Sequence, residues 1–292
     1  ANLGKMKSWG WELTLKWNDK IGDDFRYYAN LNLMYNQNKI IENKEAPQDY
    51  EYMSTIGRRL GSRSQLLFFE YYNDQTTAQR YKEKYGTDLP EQIAGSNLKN
   101  GDCVYVDLNG DGIIDNQDRS RDFGYTDDPE YMAGLTLGFN WKGFDVSMQW
   151  TGAWNTTRSI SNVFQRPFTN RQTNDDGGLL KHHLTNTWTN ENPNPNSEFP
   201  RATFENANNN YTGSTLWEKD AKYLRLKNIQ IAYNFDLPFM KKLKLNTFQL
   251  SLSGYNLLTF TPYVFGDPES RASNSPSYPL TKTYSLSLRL GF

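Results

Sequence analysis

Residues 131–154 read YMAGLTLGFNWKGFDVSMQWTGAW, and apolar and polar residues alternate along both halves of this stretch. In the first half the apolar positions are Tyr131, Ala133, Leu135, Leu137, Phe139 and Trp141. After Lys142-Gly143 the alternation resumes with Phe144, Val146, Met148 and Trp150. Successive side chains of a β-strand point to opposite faces, so the pattern predicts two strands that each have one apolar and one polar face. The short turn between them predicts an antiparallel hairpin.

The same alternation recurs along the chain and predicts seven strands in all. The other five lie near 8–17, 25–35, 222–235, 245–260 and 284–292. Most can supply the roughly 9–11 residues that a tilted strand needs to cross a membrane. Aromatic residues stand near the ends of predicted strands, at Trp9, Trp17, Tyr35, Tyr131, Trp141 and Trp154. Aromatic rings gather at the two surfaces of a membrane, so this placement predicts interfacial girdles.

The composition narrows the class of protein. The 292 residues carry a net charge of -1, which gives no basic footprint for nucleic acid, and Cys103 is the only cysteine, which excludes a disulfide framework. Mean hydropathy is -0.81, and no run approaches the roughly 18 apolar residues of a membrane helix. Yet 15% of the residues are aromatic. Many aromatic residues with low mean hydropathy are typical of barrel strands, in which every second side chain faces water.

The connections between the predicted strands alternate in length. Short connections fall at 18–24, 142–143 and 236–244, and longer ones span 42–130, 156–221 and 261–280. Outer-membrane barrels alternate short periplasmic turns with long extracellular loops, so the sequence predicts an all-β fold, a transmembrane antiparallel β-barrel with Phe292 on the periplasmic side. Seven strands cannot close such a barrel. We therefore expect residues 1–292 to be its C-terminal portion, with the export signal, plug and earlier strands N-terminal to Ala1.

Several short motifs occur in the order typical of one transporter family. They include Gly10-Trp11-Glu12-Leu13-Thr14, Asp107-Leu108-Asn109-Gly110-Asp111-Gly112, Trp188-Thr189-Asn190-Glu191-Asn192-Pro193, Tyr223-Leu224-Arg225-Leu226 and Ser253-Gly254-Tyr255-Asn256-Leu257. Through these motifs the chain resembles, over nearly its entire length, the C-terminal region of SusC/RagA-family TonB-dependent transporters. The resemblance implies a large plugged barrel of about 22 strands. It also implies a TonB box in the absent N-terminal region, which would couple to the TonB complex, and a SusD-like surface lipoprotein over the extracellular mouth.

An acidic loop carries the sharpest local pattern. Its oxygen-bearing residues recur at the spacing of an EF-hand-type calcium loop, with Gly112 at the sharp turn. The candidate ligands are Asp107, Asn109, Asp111, the Ile113 carbonyl, Asp115 and Asp118. Because the shorter Asp118 replaces the usual glutamate and no amphipathic helix follows, a metal-free acidic turn is the alternative. A bound Ca²⁺ would have a structural role and brace the 42–130 loop.

Two further sets of residues are candidates for recognition. The terminal residues resemble the signal read by the machinery that assembles outer-membrane barrels: Tyr284, Leu286, Leu288, Leu290 and Phe292. Any final barrel strand alternates in this way, which is the plainer interpretation. Aromatic residues of the long connections are candidate contacts to a ligand or partner: Trp154, Phe164, Trp188, Tyr211 and Trp217. The same rings can instead pack within their own loops, which we consider the stronger interpretation.

The sequence lacks motifs for nucleophilic catalysis, a phosphate-binding loop or a dinucleotide fold, so we do not expect an enzyme. The favoured hypothesis is active import of a bulky nutrient, an oligosaccharide or a peptide, by a protein embedded in the lipid of a Gram-negative outer membrane. One alternative is a soluble extracellular all-β module that binds glycan and carries a structural calcium loop. The alternating loop lengths and the terminal Phe292 argue against that module. A barrel without transport, such as an adhesin anchor, is a second alternative, which the family motifs disfavour.

Overall fold

The structure is dominated by β-strands. The computed structural model describes residues 4–167, 179–203, 208–242, 244–271, 278 and 280–292. In chain order the strands are β1 (Gly4–Ile21), β2 (Phe25–Asn43), β3 (Phe68–Tyr71), β4 (Cys103–Tyr105), β5 (Tyr131–Trp141), β6 (Phe144–Trp154), β7 (Thr157–Ser159), β8 (Glu218–Asp220), β9 (Tyr223–Asn234), β10 (Thr247–Phe260) and β11 (Thr283–Gly291). The α-helices are α1 (Thr77–Tyr85), α2 (Lys181–Asn186), α3 (Asn208–Tyr211) and α4 (Pro238–Lys242). None of the described helices combines the length and the apolar character needed to cross a membrane.

Seven of the strands form one sheet in the order β1-β2-β5-β6-β9-β10-β11. Every neighbouring pair is antiparallel, and each strand lies beside the next long strand along the chain. This up-and-down arrangement is the one from which a barrel wall is built. The seven predicted strands and the predicted antiparallel all-β fold are confirmed. The short pairs β3–β4 and β7–β8 lie in the long connections, where the sequence pattern is weaker.

The register of the sheet keeps apolar residues opposite apolar residues across neighbouring strands. One row crosses five strands and consists of Leu31, Leu135, Trp150, Leu226 and Leu258. The adjacent row points to the other face and consists of Asn30, Thr136, Gln149 and Asn228. The sheet therefore has one continuous apolar face and one polar face. Register shifts between Gln149 and Trp150 and between Tyr255 and Leu258 absorb the extra residues of β9 and β10, so the rows continue across them.

Aromatic residues border the apolar face at both ends. At the end from which the long connections leave, the loop end, ring centroids lie 6.2 Å apart for Trp11 and Tyr35, 4.6 Å for Tyr35 and Tyr131, and 5.3 Å for Tyr131 and Trp154. At the opposite, turn end, Phe144 lies 4.7 Å from Tyr233. The 11 residues of β5 separate the two borders. At about 3.4 Å per residue and a tilt of about 40°, the borders are about 25 Å apart, the height of a barrel's apolar band.

The long connections fold into a packed structure at the loop end, which we call the cap: the described parts of 44–130, 155–222 and 261–282. One core contains residues of the first two connections: Leu66, Tyr71, Cys103, Tyr105, Ile114 and Trp188. A second core contains residues of the last two: Ile160, Phe164, Phe199, Trp217, Ala221, Tyr263 and Phe265. Because each core draws on more than one connection, the cap is held together by contacts between loops that are distant in sequence.

We predict that Gly10→Ala destabilises the sheet whereas Gly134→Ala does not. A Cβ atom at Gly10 would overlap the carbonyl oxygen of Tyr35 on the neighbouring strand, so the β1–β2 ladder must shift. Overpacking of this kind costs about 1–3 kcal/mol. Gly134 lies on the same polar face and has no atom within 4 Å of such a Cβ, which makes it the matched control. Thermal unfolding of the purified variants in detergent measures the difference, and equal midpoints would contradict the register.

Candidate functional site

The polar face of the sheet is the first part of the candidate site. Hydroxyl and amide side chains form hydrogen bonds across its strands, with Thr14 Oγ1 donating to Asn32 Oδ1 at 3.0 Å and Gln249 Nε2 donating to Asn234 Oδ1 at 3.0 Å. Charged residues such as Lys16 and Arg289 stand on the same face. In a closed barrel the face opposite the lipid lines the interior. These side chains are therefore suited to contact a polar solute or water.

A buried arginine fastens the third long connection to this face. Arg225 lies near the loop end of β9 and is 1% exposed. Its Nη2 donates to Asp267 Oδ2 at 2.8 Å, its Nη1 binds the Glu269 carboxylate, and its Nε donates to Thr259 Oγ1 at 3.0 Å. One guanidinium thus meets two carboxylates and a hydroxyl, which compensates the cost of burying the charge.

A second network joins all three connections. Arg63 of the first connection binds Asp127 Oδ1 at 2.6 Å and Glu218 Oε2 at 2.5 Å. Arg158 of the second donates to the backbone carbonyls of Asp127 at 2.7 Å and, in the third, of Pro268 at 3.0 Å. Burial lowers the pKa of Arg158 and raises the pKa of Glu218, although the Arg63 charge opposes the latter shift. The carboxylate and carbonyl oxygens around Arg158, and Arg63 beside Glu218, thus compensate the cost of burying these two groups.

Sequence reasoning did not identify Arg63, Arg158 or Arg225 as important. Their partners lie far along the chain, since Arg63 binds Glu218 and Arg225 binds Asp267 and Glu269. No local spacing reveals such a pair before the loops are placed in space. The available signal in the sequence was the pair of carboxylates in Asp267-Pro268-Glu269, which lie close together in one connection.

The five aromatic residues proposed as ligand or partner contacts differ in position. Phe164, Trp188 and Trp217 are buried in the cores of the cap, so packing is their role in this structure. Tyr211 is half-buried against the second core, with the Arg166 guanidinium 4.8 Å from its ring centroid. Trp154 lines a cavity of about 690 Å³ with Asn155, Glu218, Asp220 and Lys222, among others. Trp154 also stacks on Tyr131 in the aromatic border of the apolar face, and its contact with a ligand stays a prediction.

In the acidic loop the side chains mainly hold the backbone. Asp107 accepts hydrogen bonds from the N–H groups of Gly110 and Gly112, at 2.6 and 2.8 Å. Asp118 is fully buried, and its two oxygens accept from the N–H groups of Leu108 and Asp115, both at 2.8 Å. Burial raises the pKa of Asp118, which these backbone donors partly counteract.

The fit of this loop to a metal is incomplete. Within the described residues, no three His, Cys, Asp or Glu side chains are arranged to hold a metal ion. Asn109 and Asp111 are instead linked to each other, with Asn109 Nδ2 donating to Asp111 Oδ2 at 2.8 Å. Asp115 caps a short turn by accepting from the Gln117 N–H, and Ile113 lies beside Glu91. Calcium binding would require Asp118 to exchange backbone bonds for the ion, and it stays a prediction.

The proposed assembly signal lies on the last strand of the sheet. Tyr284, Leu286, Leu288 and Leu290 share the apolar face of β11 and are each largely exposed, and Phe292 follows the strand. Their placement suits contact with lipid as well as with an assembly factor. Recognition by assembly machinery stays a prediction.

If the acidic loop binds Ca²⁺, saturating calcium should raise the free energy of unfolding by about 3 kcal/mol at a hundredfold excess over the dissociation constant. Asp111→Asn should abolish this gain, because it removes one anionic ligand. Asp88→Asn is the control, because it removes an exposed carboxylate of the same connection that lies outside the motif and should leave the gain unchanged. Thermal unfolding with calcium and with a chelator measures the effect. Identical curves in the wild-type protein would show that the loop is a metal-free turn.

Replacing Arg225 should release the third connection from the sheet. Arg225→Gln leaves the carboxylates of Asp267 and Glu269 without their buried partner, a loss of about 3–5 kcal/mol. Lys227→Gln is the matched control, because Lys227 lies 3.4 Å from the same Glu269 oxygen but is half exposed, so its loss costs under about 1 kcal/mol. Hydrogen exchange over 261–271 should accelerate in the first variant alone. Unchanged exchange in Arg225→Gln would contradict the fastening role.

Comparison with protein-family models gives no match. The chain is nevertheless similar throughout to proteins named TonB-dependent receptors. It is 25% identical to TonB-dependent receptor P3 of Formosa agariphila, over 100% of this chain and 29% of that receptor. It is 23% identical to TonB-dependent receptor SusC of Bacteroides thetaiotaomicron, over 100% of this chain and 27% of that receptor. The chain therefore spans less than a third of the length of these relatives.

Solved structures give the same result for the fold. The chain matches the RagAB peptide transporter with a TM-score of 0.68 at 23% identity, covering 100% of this chain and 30% of that one. It matches the RagAB peptide importer in an open-open state with a TM-score of 0.67 at 23% identity, covering 99% of this chain and 29% of that one. In sequence the chain resembles SusC/RagA-type TonB-dependent transporters, and its antiparallel sheet has the fold of part of their transmembrane barrel.

Proposed function

We propose that this chain forms part of a TonB-dependent importer in the outer membrane of a Gram-negative bacterium. The observation that carries the proposal is the sheet with two unlike faces. One face is apolar in every strand and is bordered by aromatic rows about 25 Å apart, as a lipid-facing wall requires. The other face carries hydroxyl, amide and charged groups, as a passage for a polar solute requires.

A bulky polar nutrient, an oligosaccharide or a peptide, is the proposed cargo. RagAB, whose structure the chain matches in fold, is named a peptide transporter. This name favours a peptide over an oligosaccharide as the proposed cargo. The polar face offers amide and hydroxyl groups that bind either class through hydrogen bonds. Passage would need energy from a TonB complex, which would act through a region N-terminal to this chain.

The cap is the proposed docking surface for a SusD-like surface lipoprotein. Its three connections are cross-linked by Arg63 and Arg158 and share two apolar cores, so the cap presents a fixed surface. A rigid platform reduces the entropy lost when a partner binds. The chain itself is proposed to bind and pass its cargo without chemical change, in keeping with relatives named as receptors and transporters.

Two adjacent residues test the membrane assignment. Leu135 lies on the apolar face at the middle of β5, and Thr136 lies on the polar face beside it. Leu135→Arg should lower the amount of folded protein in the outer-membrane fraction, because an arginine at the bilayer midplane costs about 2–4 kcal/mol. Thr136→Arg should be tolerated, since its side chain enters the aqueous interior. The measurement is the abundance of the folded, detergent-extracted protein in fractionated cells.

The opposite result would support the glycan-binding alternative. If the protein stays monodisperse without detergent and Leu135→Arg improves its solubility, the apolar face does not meet lipid and the importer proposal fails. Uptake assays with labelled oligosaccharides and peptides in the native host, with and without the TonB complex, then identify the cargo. Uptake that is independent of TonB would contradict the energy-coupled part of the proposal.

A further inference from the structure

The apolar face changes character just beyond its aromatic row at the loop end. Two residues past the Trp11–Tyr35 pair, Trp9 stands opposite Gln37, and two residues farther Lys7 stands opposite Lys39. All three pairs point to the same side of the sheet, because side chains alternate with a period of two. At about 3.4 Å per residue and a tilt of about 40°, the lysine pair lies about 10 Å beyond the row.

A basic cavity lies beside these residues. It has a volume of about 480 Å³ and is lined by Trp9, Gln37 and Lys39 of the sheet and by Arg58, Arg59 and Arg121 of the cap. Two carboxylates also line it. Hydrogen bonds from the N–H group of Gly57 to the Ile40 carbonyl and from that of Ile40 to the Arg58 carbonyl, at 2.8 and 2.9 Å, attach the arginine-bearing segment to the edge of β2. The segment that carries Arg58 and Arg59 is thus held against the sheet.

The cavity contains more positive than negative charge. Arg58 pairs with Asp122 at 2.5 Å, and Arg59 pairs with Glu130 at 2.9 Å. The Arg121 guanidinium donates to two backbone carbonyls, those of Met53 at 3.1 Å and Ser62 at 2.8 Å, which leave its charge uncompensated. Lys39 is exposed and forms no ion pair with any described residue. The charges of Lys39 and Arg121 therefore give the cavity a net positive lining, which favours an anion.

The register adds a repulsion that an anion would relieve. Lys7 and Lys39 are directly opposite each other on neighbouring strands. Like charges in this position destabilise a sheet. Lys7 Nζ lies 6.0 Å from the ring centroid of Trp9, which itself lines the cavity, and Lys7 has no carboxylate partner among the described residues. A doubly charged phosphate placed between the two lysines would turn the repulsion into two attractions.

We propose that Lys7, Lys39 and Arg121, beside the Trp9 ring, bind a phosphate on the headgroup of a lipid in the outer leaflet. The inference rests on the proposed function, because it requires the apolar face to lie in lipid. The polar headgroup layer extends about 5–8 Å beyond the hydrocarbon on each side of a bilayer. Trp9 falls within this layer, and the lysine pair lies just outside it. A soluble phosphate would have no reason to select the lipid-facing side of the loop end.

The test measures lipid binding by native mass spectrometry of the detergent-purified native polypeptide that contains this chain. The probes are diphosphorylated lipid A, fully dephosphorylated lipid A and inorganic phosphate. We expect the diphosphorylated lipid to bind best. The double variant Lys7→Gln, Lys39→Gln should weaken its binding about fivefold for each lysine removed, or about 25-fold in all. Lys16→Gln, on the opposite face of β1, is the matched control and should leave binding unchanged.

Each outcome decides the proposal. Equal binding of phosphorylated and dephosphorylated lipid, or an unaffected double variant, overturns it. Inorganic phosphate that competes at the same concentration as lipid A also overturns the lipid assignment, because the site then takes the free ion. The double variant should unfold at the same temperature as the wild type or higher without lipid, so lost binding cannot be ascribed to misfolding. If the protein is absent from the outer membrane, the proposed function itself fails. That result differs from a loss of lipid binding by a protein that is present in the membrane, so the two failures can be told apart.

Discussion

The strand register is the constraint on which the rest of the structure depends. A shift of one residue between any two neighbours would move every apolar side chain of a strand to the polar face. Backbone hydrogen bonds alone do not prevent such a shift, since they are equally satisfied in either register. Steric contacts contribute specificity, because Gly10 lets the Tyr35 carbonyl approach and Gly138 makes room for the Tyr28 ring. Two continuous faces result, and the proposed membrane assignment and the proposed polar passage both follow from them.

The cap uses a different kind of stabilisation from the sheet. Its cores are apolar, but its connections are fixed to one another by buried arginines whose partners come from different loops. A buried ion pair contributes little net stability compared with an apolar contact, yet its removal is costly and its geometry is demanding. Such pairs therefore specify one arrangement of long loops that would otherwise have many. For a proposed docking surface, a single arrangement matters more than extra stability.

The sheet and the cap meet at the loop end. The aromatic row from Trp11 to Trp154 ends the apolar face, and the cap begins within a few residues of it. Arg58 and Arg59 belong to the first connection but lie at the edge of β2, so the cap contributes charge to the apolar side of the sheet. This geometry follows from strands that extend past the apolar band. β1 and β2 have 18 and 19 residues, whereas β5 and β6 have 11 each.

The sequence by itself determined the strands, their two faces, the alternation of short and long connections and the family resemblance, because period-two patterning is a local property that the sheet preserves. It could not decide the roles of the loop aromatics: Phe164, Trp188 and Trp217 pack in cores, while Trp154 lines a cavity. Nor could it find the contacts of Arg63, Arg158 and Arg225, or the facing Lys7 and Lys39. These depend on which distant segments meet, and only the tertiary structure sets that, through the register of the sheet and the packing of the cap.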